Sequence, residues 1–162
     1  MSYQPGTPLT QGPAYAPTAQ AEYANWLYRV GSYFIDALIT SAVVIVVRIL
    51  IGAAGQTDSF GNPQGVGLLL YLLSLAVSLG VFIWNSLVRQ GSTGQSVGKQ
   101  VLGTRLISIQ TNQPIGAGMA FLRQLCHILD GLPCYLGYLW PLWDSKRQTF
   151  ADKIVGTVVV RV

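Results

Sequence analysis

The sequence predicts an all-α membrane protein with two transmembrane helices, a third, broken hydrophobic helical segment, and a small cytoplasmic β-element. Three observations carry this prediction. Of the 162 residues, 51% are hydrophobic and 10% are charged, with a mean hydropathy of +0.43; soluble domains carry about 25% charge. The apolar residues gather into three stretches, 26–51, 66–88 and 116–143. The polar segments between and after them hold two short β-branched runs.

Residues 1–24 are rich in Pro, Gly, Gln, Ala, Thr and Tyr, with Glu22 as the one charge. Such a composition buries no core and reads as a disordered tail ahead of a single membrane domain over 25–162. The first 25 residues lack the basic start and apolar run of a signal peptide, so the apolar segments are expected to direct insertion themselves. The first span, 26–51, matches the 20 or so residues that a hydrocarbon core of about 30 Å demands. Trp26 and Tyr28 suit an interfacial anchor, and Arg48 reads as snorkelling to the outer headgroups. Loop 52–65 is built from turn residues. The second span, 66–88, carries no charge, and its Ser74, Ser78 and Asn85, with Ser41 of the first span, suit helix stitching or the lining of a path.

Arg105–Ile109 reads as a strand and Thr111–Pro114 as a turn; Val158–Val162 reads as a second strand. Gly-Thr precedes both strands, at 103–104 and 156–157, which suggests that they pair. Loop 52–65 has no Lys or Arg, while 89–115 has Arg89, Lys99 and Arg105. The positive-inside rule then places the N-terminus in the cytoplasm of an inner-membrane, multi-pass protein. For residues 116–143 two paths stand open. A single crossing leaves Lys146, Arg147, Lys153 and Arg161 outside, whereas a hairpin or re-entrant pair bent at Gly131–Pro133 brings them back. The stretch is too short for two crossings of about 20 residues each.

The charges inside these stretches are the candidate functional residues. Intramembrane charges cost about 2.5–3.5 kcal/mol each at a helix centre on insertion scales. Arg29 and Asp36 stand seven apart in the first span, and Arg123 and Asp130 repeat that spacing in the third stretch. Seven residues are almost two turns, about 10 Å of axis, so each pair shares a face without direct contact. Parallel entry of both segments sets Arg29 level with Arg123 and Asp36 level with Asp130. Two embedded carboxylates behind a ring of arginines are machinery for moving protons or small cations. In the bland reading, the arginines snorkel to phosphates and neighbouring helices hold the aspartates.

Several function classes lose their footing here. The net charge of +4 lies beside apolar spans, which reads as topology and lipid contact rather than nucleic-acid binding. Gly91–Lys99 lacks the spacing of a phosphate loop, since Gln100 follows the lysine. Cys126, Cys134 and His127 form no legible catalytic or metal constellation, so no enzyme activity, cofactor or metal is expected.

Taken together the motifs resemble the RDD family of bacterial membrane proteins, named for one arginine and two aspartates, in an actinobacterial type with a Pro/Gly/Gln-rich tail. The resemblance rests on Arg29 and Asp36, on Gly94-Gln-Ser-Val-Gly98-Lys99 followed by Leu102-Gly103, and on Leu139-Trp-Pro-Leu142, Arg147-Gln-Thr149-Phe-Ala-Asp152 and Gly156-Thr157. It covers roughly residues 24–162. It implies that Arg29, Asp36 and Asp152 are the named residues, with Asp130 and Asp144 as lesser choices and Arg147 and Lys99 as secondary candidates. An Asp152 set among Arg147 and Lys153 is then expected to be a cytoplasmic salt-bridge or helix-end residue. The family's function is regarded as uncertain, with transport suggested. The leading expectation is a transporter or exchanger of protons or small cations past Asp36, homo-oligomeric because four short segments make a thin wall. The alternative is a non-transporting adaptor whose tail and cytoplasmic face recruit a partner.

Overall fold

The computed structural model describes residues 22–162; the predicted tail, apart from Glu22–Ala24, lies outside the described residues. Two helices are long and apolar enough to cross a bilayer: α1 (Trp26–Ala53) and the continuous helix Gly65–Thr93. Asn25 starts α1 with its side-chain oxygen accepting from the Tyr28 amide. The outward faces of both helices are exposed leucine, isoleucine and valine, the surface that lipid would meet. The loop between them turns on Asp58, whose Oδ1 accepts from the Phe60 and Asn62 amides at 2.9 and 2.8 Å.

The second long helix runs past the predicted end at residue 88. It comprises α2 (Gly65–Phe82), a π-helical segment (Ile83–Arg89) and a closing turn, α3 (Gln90–Thr93). Gly94, in the left-handed region at φ 77°, stops it. The π segment widens the helix where the buried Asn85 sits. Such bulges are rare, and they occur frequently at functional sites.

Two short helices each feed a strand. α4 (Val97–Val101) leads into β1 (Thr104–Ser108), and α7 (Phe150–Val155) leads into β2 (Thr157–Arg161). The strands pair antiparallel, Leu106 opposite Val159 at the centre, as the matching Gly-Thr starts suggested. Tyr23 bridges to Val160 and the Ala24 amide donates to the Val159 carbonyl, so Glu22–Ala24 belong to this layer and not to the tail. Leu106, Val159 and Ala24 form its fully buried core, with Tyr28 and Ile115 packed on them.

The third stretch turns back. α5 (Gly116–Gly131) is 16 residues, about 24 Å, short of a full crossing. The chain reverses at Cys134 and Tyr135, both at positive φ, slightly beyond the expected bend, into α6 (Leu136–Leu139) and a 3-10 turn (Trp140–Leu142). Gly137 lets the returning backbone rest on Asp130, where a Cβ would overlap the carboxylate. The Trp26 indole donates to the Tyr138 carbonyl at 2.9 Å, tying the hairpin to the start of α1. With β1 and β2 paired, the segment after α3 and the tail after α7 lie at the same end of the two long helices.

Candidate functional site, a buried charge cluster under the long helices

Asp152 is the centre of the site. It sits at the third position of α7, where Thr149 caps the helix and the two form a reciprocal capping box. Its carboxylate is fully buried and accepts from four donors, one of them the Thr149 amide of the capping box. Arg29 of α1 donates to Oδ2 through Nη2, and Arg123 of α5 donates to Oδ1 through Nε at 2.7 Å. The Thr157 hydroxyl adds a bond at 3.1 Å and the Thr149 amide one at 3.2 Å. Burial alone would push this carboxyl up, but Arg123 and then Arg29 outweigh it and hold it far below the usual carboxylate range. Arg29 is fixed further by donating Nη1 to the Arg147 carbonyl at 2.8 Å. Three separate helices therefore meet at one ionised side chain.

Asp36 does something different. Its Oδ1 accepts from the Asn85 side chain at 2.8 Å and the Gly98 amide at 2.7 Å; its Oδ2 accepts from the Ser96 hydroxyl at 2.6 Å. Asn85 in turn accepts from the Val97 amide at 2.8 Å. The carboxylate of α1 thus completes the N-terminus of α4, where free amides and the helix dipole favour negative charge. The fit is close, because a Cβ on Gly98 would overlap the Ser32 carbonyl oxygen of α1.

Asp130 repeats the arrangement on the other short helix. Its Oδ1 accepts from the Phe150 and Ala151 amides of α7 at 2.8 and 3.3 Å, and its Oδ2 lies 2.5 Å from the His127 Nδ1. His127 stacks on Tyr138 and is a packed, hydrogen-bonded residue.

The structure therefore corrects the expected carboxylate pair. Asp36 and Asp130 are not brought to one site; each is drawn to the amides of a different short helix. Nor do Arg29 and Arg123 snorkel to phosphates, for both turn inward onto Asp152, with side chains 10% and 8% exposed. Asp152 is the salt-bridge and helix-end residue that was expected, though through Arg29 and Arg123 rather than Arg147 and Lys153. Lys153 pairs with Asp144 at 2.6 Å. Arg147 stands at positive φ and donates to the Pro141 and Leu142 carbonyls. Arg48 lies over the Tyr71 ring at 5.3 Å and donates to the Gly61 carbonyl of the loop after α1 at 3.3 Å.

Lys99 sits at the third position of α4, with its Nζ donating to the buried Gln90 side chain at 2.8 Å. Burial, followed by Arg123, pulls its amine down to about 7, against the opposing pull of Asp36. The other polar candidates serve their own helices. Ser41 and Ser74 donate to carbonyls one turn back, and Ser78 of α2 is buried with its hydroxyl unpartnered among the described residues. A cavity of about 450 Å³ opens between α1 and α2 away from the charges, lined by Val43, Val47, Leu50, Leu70, Leu73 and Ser74 among others. Its lining carries no ionisable side chain.

The model of the RDD family matches residues 23–156. The chain belongs to the RDD family. It is similar to the proline-rich antigen of Mycobacterium leprae (strain TN), 37% identical over 93% of this chain and 66% of that protein. It is also similar to the proline-rich antigen homolog of Mycobacterium tuberculosis (strain ATCC 25618 / H37Rv), 40% identical over 87% of this chain and 58% of that protein. The chain thus spans about three fifths to two thirds of the length of these relatives. No solved structure matches it.

Within this RDD domain, the part that sequence reasoning missed is the capping. Thr149-x-x-Asp152 is a capping-box pattern that sequence alone displays. Asp36 as the cap of a helix sixty residues away has no local signal.

Proposed function

We propose that this RDD protein is a non-transporting membrane adaptor. Its two long helices hold a charge-locked platform, made of α4, α7 and the two strands, at one membrane face. The observation that carries this reading is that Asp36 and Asp152, the carboxylates a carrier would use, are already engaged in joining helices. Moving cargo through either would require breaking the joint itself. The apolar cavity between α1 and α2, without an ionisable lining residue, also favours anchoring over conduction. Lys and Arg cluster in the segments at the platform end, which supports an inner-membrane protein with platform and N-terminus in the cytoplasm. Its partners are then the bilayer and a protein engaged by the platform or the N-terminal segment.

One observation favours the carrier reading as the rival. Asp36 is the single carboxylate in the two long helices, and its three donors are neutral groups that a cation could displace. A homo-oligomer would then be needed to enclose a path.

The deciding experiment uses purified protein in liposomes with a pH-sensitive dye and a series of monovalent cation gradients. Wild type and Asp36→Asn are run together, with folding of both checked. The adaptor reading expects no flux from wild type and a destabilised Asp36→Asn. Flux that is present in wild type and absent in a folded Asp36→Asn overturns it.

A further inference from the structure

The two short helices are equivalent positions of an internal repeat. One offset relates Ser96 to Thr149, Lys99 to Asp152, Gly103 to Gly156 and Thr104 to Thr157. The strand register obeys the same rule, since Thr104 pairs with Arg161 and Ser108 with Thr157 about the central Leu106–Val159 pair. Each short helix takes a carboxylate from a preceding helix onto its second amide, Asp36 onto Gly98 and Asp130 onto Ala151. At the third position the halves differ in sign. α7 has an acid there, which suits a helix N-terminus, and α4 has Lys99, which does not.

The surroundings of Lys99 sharpen that mismatch. Among the described residues no carboxylate lies within ion-pair distance of its Nζ, and its one hydrogen-bond acceptor is the neutral Gln90 amide. The charged groups around it are Arg29 and Asp36 from α1, Arg123 from α5 and Asp152 from α7. Asp152 is bound to the two arginines, while Asp36 is bound by neutral donors alone.

We propose that Lys99 is a proton-operated latch on α4, neutral when α4 is seated on α1 and charged when it is released. A proton from solvent adds to the Nζ lone pair. The resulting ammonium is repelled by the helix N-terminus and the arginines, and it competes with the Gly98 amide and the Ser96 hydroxyl for Asp36. Either way the cap that holds α4 against Ser32 weakens. Loss of the proton restores it. The proposal is independent of whether the protein is an adaptor or a carrier, because it concerns the seating of α4.

The sign follows from linkage. The seated amine titrates near 7 and the released one near its ordinary 10.5. The released state therefore binds more protons between those values, and seating strengthens about tenfold per pH unit as pH rises through that window. Below about 7 both states are protonated and the dependence levels off.

The test is amide hydrogen exchange of the Gly94–Gly103 segment in the full chain in nanodiscs, from pH 6 to 9, corrected for intrinsic exchange. Wild type is expected to gain about fiftyfold in protection between pH 7 and 9. Lys99→Met is expected to be well protected at every pH, and Lys99→Arg poorly protected at every pH. Lys99→Gln serves in place of the methionine variant if that one misfolds. A wild-type segment whose protection is flat with pH overturns the proposal, and so does a pH slope that survives in the uncharged variant.

Discussion

The two halves of the repeat share a plan and differ in how they treat charge. In both, a helix carries an arginine and then an aspartate seven residues on, the aspartate caps a short helix, and the short helix turns through glycine into a strand. In the α5–α7 half the third position of the short helix is Asp152, and both arginines close on it. In the α1–α4 half the same position is Lys99, and no ion pair forms there among the described residues. One half is therefore locked by a buried two-to-one ion cluster and the other by neutral hydrogen bonds to a half-buried carboxylate. The arginine that its own half cannot use, Arg29, is exported to the other half's acid. This crossing contact and the β1–β2 pairing together join the halves into one domain. It also leaves α4 as the weaker joint.

The contrast can be broken from its strong side first. Asp152→Asn leaves Arg29 and Arg123 buried without a counter-charge and should cost about 3–5 kcal/mol in equilibrium unfolding in mixed micelles. An Arg29→Met, Arg123→Met, Asp152→Leu triple variant should recover most of that loss, because a buried ion cluster replaced whole by apolar residues is often neutral. A triple variant as unstable as the single one would mean that the cluster does more than assemble helices.

Next comes the weak joint. Gly98→Ala forces α4 off the Ser32 carbonyl and should cost about 1–3 kcal/mol. The mirror change at the equivalent position, Ala151→Gly, meets no such contact and should cost only about 1 kcal/mol of helix propensity. Asp36→Asn keeps the shape but loses the charge that three donors address, for about 1–3 kcal/mol. Its damage should appear as faster amide exchange at Val97 and Gly98, with α7 unaffected. Equal exchange in α4 and α7 would deny that the two joints are separate.

Much of the fold was legible because apolar length is a strong signal. The two long helices, the returning third stretch as one of two open paths, and the paired strands follow from composition, turn residues and the repeated Gly-Thr. The RDD resemblance also held, since its motifs lie far apart yet in order. The site was legible in its members and not in its wiring. Arg29, Asp36, Arg123, Asp130 and Asp152 were all singled out, yet the pairing was expected between like positions of the repeat. What decides the pairing is which backbone amides are left unsatisfied at the short helix ends, and helices of five and six residues are too brief to announce themselves by periodicity. The π segment was hidden for a similar reason: it differs from α-helix by a widened turn around Asn85, which no apolar pattern marks.

The smallest effect belongs to the outermost charge pair. Lys153 and Asp144 meet at 2.6 Å, but the lysine side chain is 43% exposed. Burial pushes the Asp144 carboxyl up, and the Lys153 bond with the Gln148 and Lys146 amides brings it below its ordinary value. A pair this open to water should contribute only about 0–1 kcal/mol, so Lys153→Ala should barely move the unfolding midpoint. Salt separates it from the core cluster. The Lys153 increment should vanish toward 1 M salt, where charges are screened beyond about 3 Å, while the cost of Asp152→Asn should stay nearly constant. If both decline together, the Arg29–Asp152–Arg123 cluster is reached by solvent ions, and its place at the dry centre of the domain would have to be given up.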